Sequence, residues 1–236
     1  MMKIYAKVFP YQPKEGSDSK VLGYATLELG GSLKVNDVVI RQGDNGPFVS
    51  MPAFKNKDGE FKEVCHPTTK EFREALSATV LDAYNRDSKW AVRDGVTRPN
   101  VDVNMSKFEK DGIKAIGSIV LDNEFCVNNI TVRENKNGNL MVNMPSTSYD
   151  KDGTKAYKDI CAPTGDYAEK GTIVGRIINV AKERLAEKEP LAAKVASAEE
   201  TKKTQEKKTE EKKAPEKKTG AKSSKKKAKT EKEDRE

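Results

Sequence analysis

One sequence pattern occurs twice in this chain, and the repeat restricts its fold more than any other feature. Residues 23–68 and 117–164 carry the same landmarks in the same order, at offsets of 92 to 96 residues. The matching pairs are Arg41 with Arg133, Met51-Pro52 with Met144-Pro145, Asp58-Gly59 with Asp152-Gly153, and Cys65 with Cys161. Because self-similarity at a fixed offset marks a duplicated structural unit, we predict two tandem modules of about 85 to 90 residues each.

Alternating apolar and polar residues predict that each module consists mainly of strands. The predicted strands cover residues 3–9, 24–29, 33–41, 48–51 and 61–65 in the first copy. In the second copy they cover residues 101–108, 114–121, 125–133, 140–144 and 156–160. The connections are short and contain turn pairs such as Gly30-Gly31 and Asp58-Gly59, which favour an antiparallel meander.

One amphipathic helix closes each predicted meander. In the first helix a 3–4 spacing aligns Phe72, Ala75, Leu76, Thr79, Val80 and Ala83, and Thr68 with Glu71 reads as a capping box. In the second helix the aligned residues are Ile173, Val174, Ile177, Ile178, Ala181 and Leu185. Asp166 and Glu169 favour the start of this helix, and Pro190 ends it. A sheet covered on one face by a helix is an α+β architecture.

The module size and the free sheet edges predict that the two copies pair within the chain. A module of this length buries a limited core, and a meander leaves edge strands with unpaired backbone groups. Fusing two copies makes their pairing intramolecular. We therefore predict a pseudo-symmetric internal dimer, with modules at 1–86 and 101–189 and a linker at 87–100.

Residues 190–236 differ in composition from both modules. They contain no aromatic residue and few large aliphatic residues, and lysine pairs recur among glutamates. Such a segment cannot offset the entropy of ordering, so we predict a disordered tail. The formal net charge of the chain is +7, but residues 187–236 hold 17 Lys/Arg and 12 Asp/Glu, which leaves the modules near +2. The tail either contacts polyanions through its lysines or only keeps the chain soluble.

Several linked motifs resemble the SpoVG septation-protein family. The second copy contains DNEFCVNNITV (122–132) and MPS (144–146), and the first contains NGPFVSMP (45–52), DGEFKEVCHP (58–67) and a helix ending in LDAYNR (81–86). The resemblance implies a cytoplasmic bacterial regulator without catalytic activity that binds DNA, and in some members RNA. It further implies dimers formed through the sheet, with basic residues around the C-terminal helix in contact with nucleic acid. This chain departs from the usual single module with a short tail.

The candidate nucleic-acid-binding residues are cations on or next to the two helices. They are Lys70, Arg73, Arg86, Lys89 and Arg93 in the first copy and Lys170, Arg176, Lys182 and Arg184 in the second. Lysine and arginine bind phosphates electrostatically, although the same residues also occur on an ordinary solvated helix face. Trp90, the only tryptophan, is expected to pack at the seam between the copies, with stacking on an unpaired base as the alternative.

The sequence contains no pattern typical of an enzyme, a metal site or a membrane span. His66 is the only histidine, the three cysteines are widely spaced without a C-x-x-C motif, and phosphate-binding glycine loops are absent. No apolar run approaches a membrane-spanning length. We therefore expect reduced thiols, no cofactor, no metal and no membrane partner, and a cytoplasmic location that could include the nucleoid.

The predicted core includes five phenylalanines on alternating or helical apolar positions: Phe9, Phe48, Phe61, Phe72 and Phe125. The alternative to nucleic-acid binding is a protein-interaction scaffold that uses an exposed sheet edge.

Overall fold

The computed structural model describes residues 1–164 and 172–187, which fall within one compact unit, Met1–Leu191. The first sheet contains β1 (Ile4–Pro10), β2 (Val21–Leu29), β3 (Leu33–Gly43) and β4 (Gly46–Ser50). The second contains β9 (Val101–Lys110), β10 (Ile113–Leu121), β11 (Phe125–Glu134) and β12 (Leu140–Asn143). Two hairpins project from them, β5 (Ala53–Lys55) with β6 (Phe61–Glu63), and β13 (Ser146–Lys151) with β14 (Thr154–Asp159). All strand pairs in these sheets and hairpins are antiparallel, which confirms the predicted meanders.

Each sheet is covered on one face by a helix. Helix α1 (Lys70–Asn85) packs against β1 and buries the six residues that the sequence aligned on its apolar face. Helix α2 (Ile173–Ala186) packs against β9, β12 and β10 and buries Ile173, Ile177 and Ala181. The other three residues of its predicted apolar face are only half-buried: Val174, Ile178 and Leu185. The strands contribute alternate residues to the same core, for example Leu27 and Val35, both fully buried. The α+β fold class is therefore confirmed.

The two modules exchange one short strand each. Strand β7 (Cys65–Pro67), from the first module, pairs with β11 of the second, and β15 (Cys161–Pro163), from the second, pairs with β3 of the first. The exchange is symmetric in detail: Cys65 lies opposite Val127, and Cys161 lies opposite Val35.

Backbone hydrogen bonds next to the exchanged strands repeat the same symmetry. The amide of Asn36 donates to the Ile160 carbonyl at 2.8 Å, and the equivalent amide of Asn128 donates to the Val64 carbonyl at 2.9 Å. Matched residues therefore make matched contacts in both directions, as across a two-fold interface between identical subunits. This confirms the predicted pseudo-dimer.

The predicted capping box was wrong by one residue. The N-cap of α1 is Thr69, whose hydroxyl accepts a hydrogen bond from the Phe72 amide at 3.2 Å. Thr68 instead extends the contact between modules: its hydroxyl donates to the Asn123 carbonyl and its amide donates to the Glu124 carbonyl. Because β7 runs to Pro67, the next residue is still engaged by the second sheet, and the helix starts one position later.

The segment expected to link the modules also contributes to the first sheet. Trp90–Arg93 form strand β8, which pairs with β1 at the edge of that sheet. The expectation that Trp90 packs at the seam was wrong. Trp90 lies on this edge strand, and the exchanged strand β15 forms the opposite edge of the same sheet. The Trp90 side chain is 46% exposed.

The expected burial of phenylalanines was right for two of the five. Phe72 and Phe125 are fully buried, whereas Phe9, Phe48 and Phe61 are exposed. Strand alternation separates the two faces of a sheet, but it does not say which face a helix covers. The predicted tail at 190–236, Lys170, and the residues expected to start and end the second helix, Asp166, Glu169 and Pro190, lie outside the described residues.

Candidate functional site

Two of the candidate cations lie at the start of α1, and each is paired with a carboxylate. The Lys70 ammonium lies 3.6 Å from Glu74, one turn along the helix. The Arg73 guanidinium forms a two-pronged contact with Glu63 at 3.1 and 3.4 Å. Since Glu63 belongs to the β5–β6 hairpin, the second pair also joins that hairpin to the helix.

Three more candidates lie at the end of α1 and on β8. Arg86 pairs with Asp82 at 2.7 Å. The Lys89 ammonium donates to the Tyr84 carbonyl at 2.8 Å, so it caps the C-terminal end of the helix. Arg93 is the last residue of β8, and its side chain is exposed. It makes no ion pair or hydrogen bond with any of the described residues.

The candidates on α2 have three different environments. Arg176 is an exposed residue whose guanidinium donates a partly buried hydrogen bond to the Val101 carbonyl at 2.9 Å, so it fastens the helix to β9. Arg184 pairs with Glu187 at 2.9 Å. Lys182 is exposed and, within the described part of the chain, has no partner. Lys170 lies outside that part.

The cations therefore do not form one continuous patch. Helix α1 has 16 residues, and at a rise of about 1.5 Å per residue its two ends are about 24 Å apart. Lys70 and Arg73 lie at one end, and Arg86 lies at the other. Exposed ion pairs contribute little to stability, so these cations can exchange a carboxylate for another anion. Arg176 cannot do so without releasing a backbone carbonyl.

Two equivalent clefts border the seam, and sequence reasoning did not predict them. One has a volume of about 840 Å³ and includes Arg133 and Tyr157, and the other has about 680 Å³ and includes Arg41 and Phe61. Arg133 and Tyr157 in the first cleft occupy the repeat positions of Arg41 and Phe61 in the second. The sequence does contain one indication of the clefts: an arginine, Arg41 or Arg133, occurs at the same position in both copies.

The cysteines lie at the seam. Cys65 and Cys161 are fully buried, and Cys126 lies opposite His66 between β11 and β7. The pKa of the Cys161 thiol is raised well above its ordinary value by its hydrogen bond with Cys65 and by burial, with further contributions from the charges of Cys65 and Asp159. Burial, together with Cys65, also raises the pKa of Cys126. Both shifts favour the neutral thiol, which is the unreactive form.

The described residues lack both a metal-binding cluster and a membrane-spanning helix. No three His, Cys, Asp or Glu side chains in residues 1–164 and 172–187 are placed to hold a metal ion. In those same ranges, neither helix is long and apolar enough to cross a membrane.

The fold defines a two-module α+β protein whose modules are joined by reciprocal strand exchange. The chain belongs to the SpoVG family, because the SpoVG family model matches residues 2–86 and 99–180. Both matches coincide with a module, which confirms the tandem arrangement.

Curated relatives align with about one module of this chain. A protein named "Putative septation protein SpoVG" from Anaeromyxobacter sp. (strain Fw109-5) is 36% identical over 81 residues, 34% of this chain and 78% of the relative. The protein of the same name from Symbiobacterium thermophilum is 43% identical over 68 residues, 29% of this chain and 49% of the relative. The one from Clostridium beijerinckii is 34% identical over 73 residues, 31% of this chain and 80% of the relative.

Proposed function

We propose that this protein is a cytoplasmic, non-catalytic bacterial regulator that binds DNA or RNA through cations around the module helices. The observation that carries the proposal is the set of exposed cations whose partners are exchangeable. Lys70, Arg73, Arg86 and Arg184 are held only by exposed carboxylates. A role in septation, sporulation or gene expression accords with the name of the relatives and with the family resemblance.

Phosphates of a nucleic acid would replace those carboxylates at little cost. Arg93 and Lys182 need no exchange, since both side chains are exposed and without a described partner. Each phosphate neutralised by a cation releases counterions, so affinity falls steeply with salt. Pairing two modules in one chain supplies two such groups at a fixed separation, which favours an extended ligand over a single phosphate.

Binding of labelled random-sequence DNA and RNA, measured by fluorescence anisotropy between 50 and 200 mM salt, tests the proposal. The double variant Arg93→Gln/Lys182→Gln should reduce the slope of log K against log salt by up to about 1.8, or about 0.9 for each lost contact. Lys136→Gln is the matched control, since Lys136 is an exposed lysine in the turn after β11. Folded full-length protein that binds neither nucleic acid at low salt would contradict the proposal.

Removing residues 190–236 separates the modules from the tail. If the modules bind the nucleic acid, the shortened chain should keep its preference for a base sequence or for single or double strands. It should lose only part of its salt-sensitive affinity. Complete loss of binding would assign the activity to the tail instead.

A second candidate function, capture of a partner strand, is favoured by the outer edge of β9. Strand β1 is covered on its outer side by β8, but β9 pairs only with β10 among the described strands. Beyond Val101, whose carbonyl accepts from Arg176, β9 therefore presents an edge that could accept an added strand. A proline at Lys107, whose backbone N–H points away from β10, would block such pairing, and a pull-down that survives nuclease and is lost in Lys107→Pro would favour this function.

A further inference from the structure

The outer face of the first sheet carries a group of exposed aromatic side chains. Along β1, Tyr5, Lys7 and Phe9 alternate with Ile4, Ala6 and Val8, which are buried beneath α1. The neighbouring strands add Trp90 from β8 and Tyr24 from β2 to the same face, because Trp90 lies opposite Lys7 and Tyr24 lies opposite Phe9. We call Tyr5, Phe9, Tyr24 and Trp90 the aromatic face.

The rings of the aromatic face lie on three neighbouring strands in two groups, Tyr5 with Trp90 and Phe9 with Tyr24 opposite it. Tyr5 and Trp90 have ring centroids 6.3 Å apart and ring planes inclined by only 24°. The Lys7 ammonium lies 5.4 Å from the centre of the Phe9 ring, which places a cation between the aromatic groups. Phe9, Tyr24 and Trp90 are 49%, 41% and 46% exposed, so their surfaces are available to a ligand.

The second module shows that the fold does not require aromatic residues here. In the equivalent register, with Val101 in the place of Ile4, the outer residues of β9 are Asp102, Asn104, Ser106 and Phe108, and Ile116 of β10 stands in the place of Tyr24. Asp102 stands where the first module has Tyr5, and Ser106 stands where it has Phe9. The second sheet, in which the described residues form no counterpart of β8, thus has no aromatic residue at the positions of Tyr5, Phe9 and Tyr24, so this group of rings belongs to the first module.

The charges beside the aromatic face are mainly positive. Lys7, Lys34 and Arg41 are exposed on β1 and β3, and Glu28 is the exposed carboxylate on β2 between them. The two other carboxylates near this face are already paired: Asp94 with Lys3 at 3.7 Å, and Asp37 with Lys158 at 2.5 Å. A second copy of this chain seated on the same face would bring like charges together, whereas a polyanion would not.

We propose that the aromatic face binds single-stranded nucleic acid by stacking unpaired bases on Trp90, Tyr5, Phe9 and Tyr24, with Lys7, Lys34 and Arg41 contacting the backbone. The proposal rests on the proposed function and names the form of its ligand. Exposed sheets with aromatic residues and cations bind unpaired bases in this way. In a duplex the bases already stack on each other, so the face discriminates in favour of single strands.

Trp90 provides a direct measurement, because it is the only tryptophan in the chain. Its fluorescence should be quenched on titration with dT15 or rU15, and less so with a duplex of equal length. Trp90→Ala and Phe9→Ala should each weaken binding of the single strand, measured by anisotropy, about 5- to 150-fold. Both should leave duplex binding within about two-fold, since duplex affinity would come from the cations.

Two matched controls use positions that the proposal does not involve. Ser106→Ala changes the equivalent site in the second module, and Tyr149→Ala removes an aromatic side chain that is 47% exposed on the β13–β14 hairpin. Neither should change single-strand affinity. Circular dichroism of each variant confirms that it is folded, and Phe9→Tyr, which keeps an aromatic ring, should bind like the wild type.

The possible failures are distinguishable. If the folded protein binds no nucleic acid of any form, the proposed function itself fails. If it binds DNA or RNA but Trp90→Ala and Phe9→Ala bind single strands as the wild type does, only the stacking proposal is overturned. It is also overturned if light scattering shows a dimer that these substitutions convert to a monomer without any change in single-strand affinity.

Discussion

Truncating Phe125 should destabilise both modules at once, because this side chain belongs to one module and packs against the other. Phe125 lies on β11 in the second sheet, and Phe72 lies on α1 of the first module. Both are fully buried, their ring centroids are 6.4 Å apart, and their planes are inclined by 72°, an edge-to-face arrangement.

The expected loss follows from the buried volume and the ring contact. Removing a buried phenylalanine ring costs about 3–5 kcal/mol of unfolding free energy, and the edge-to-face pair accounts for about 0.5–1.5 kcal/mol of it. Phe125→Leu should cost on the order of 1–2 kcal/mol, since most of the volume is kept. Leucine is also the residue that the first module uses at the equivalent position, Leu33.

Urea denaturation followed by two signals is the assay. Circular dichroism reports both sheets, whereas Trp90 fluorescence reports the first sheet only. With a slope of about 2 kcal/mol per molar urea, Phe125→Ala should lower both midpoints together by about 1.5–2.5 M. The double variant Phe72→Ala/Phe125→Ala should lose less than the sum of the single losses, by about 0.5–1.5 kcal/mol.

One outcome would refute this reasoning. If the Trp90 midpoint stays at its wild-type value while the dichroism signal splits into two steps, the modules unfold independently. Strand exchange through β7 and β15 would then not couple them.

Three further predictions test local features of the fold. Gly117→Ala should cost at least about 3 kcal/mol, because the added carbon would lie 1.9 Å from the Asn104 carbonyl oxygen; urea denaturation measures the loss. Thr69→Ala should cost about 1 kcal/mol in the same assay, since it removes the helix cap. The raised pKa of the Cys161 thiol predicts that the free energy of unfolding is constant below about pH 9 and falls as the pH rises from there through the folded-state pKa. The reason is that the thiol ionises at a lower pH in the unfolded chain than in the folded protein. Thermal unfolding from pH 7 to 10.5 measures that loss.

Each of these predictions has a control within the chain. Gly31→Ala adds the same carbon into open space at a positive φ of 63° and should cost only about 1 kcal/mol; an equal loss in both variants would refute the clash. Glu71→Gln should have little effect, and a loss as large as that of Thr69→Ala would restore the capping box. Cys161→Ala should flatten the alkaline loss without abolishing it, because the pKa of Cys126 is raised in the same direction; an unchanged slope would exclude Cys161 as its source.

Most of the fold was accessible from the sequence because its signals are local and occur twice. Alternation located the strands, and 3–4 spacing identified every buried position of α1. The partner strands of β7 and β15 were not accessible. A run of three residues has the same alternation whether it joins its own sheet or the other one, and only the tertiary structure shows that Cys65 faces Val127.

The candidate site was less predictable than the fold, for electrostatic reasons. The sequence shows which residues carry charge, but the availability of a cation depends on neighbours that are distant in sequence. Arg73 is paired by Glu63 on a hairpin, and Arg176 is occupied by the Val101 carbonyl. The aromatic face escaped prediction for a related reason: exposed Phe9 and buried Phe72 look alike until the position of α1 is known.

Two modules in one chain can differ in sequence, whereas the subunits of a homodimer cannot. In such a dimer, any change on one outer face appears on both. In this chain the inward positions keep their apolar character in both copies, as with Leu33 and Phe125 or Ile40 and Val132. The outward positions differ in chemical class, with Lys7 in one copy and Asn104 in the other. Because folding restricts only the inward set, the aromatic, cationic face of the first module is free to serve a ligand, and the proposed ligand of unpaired bases matches its rings and charges.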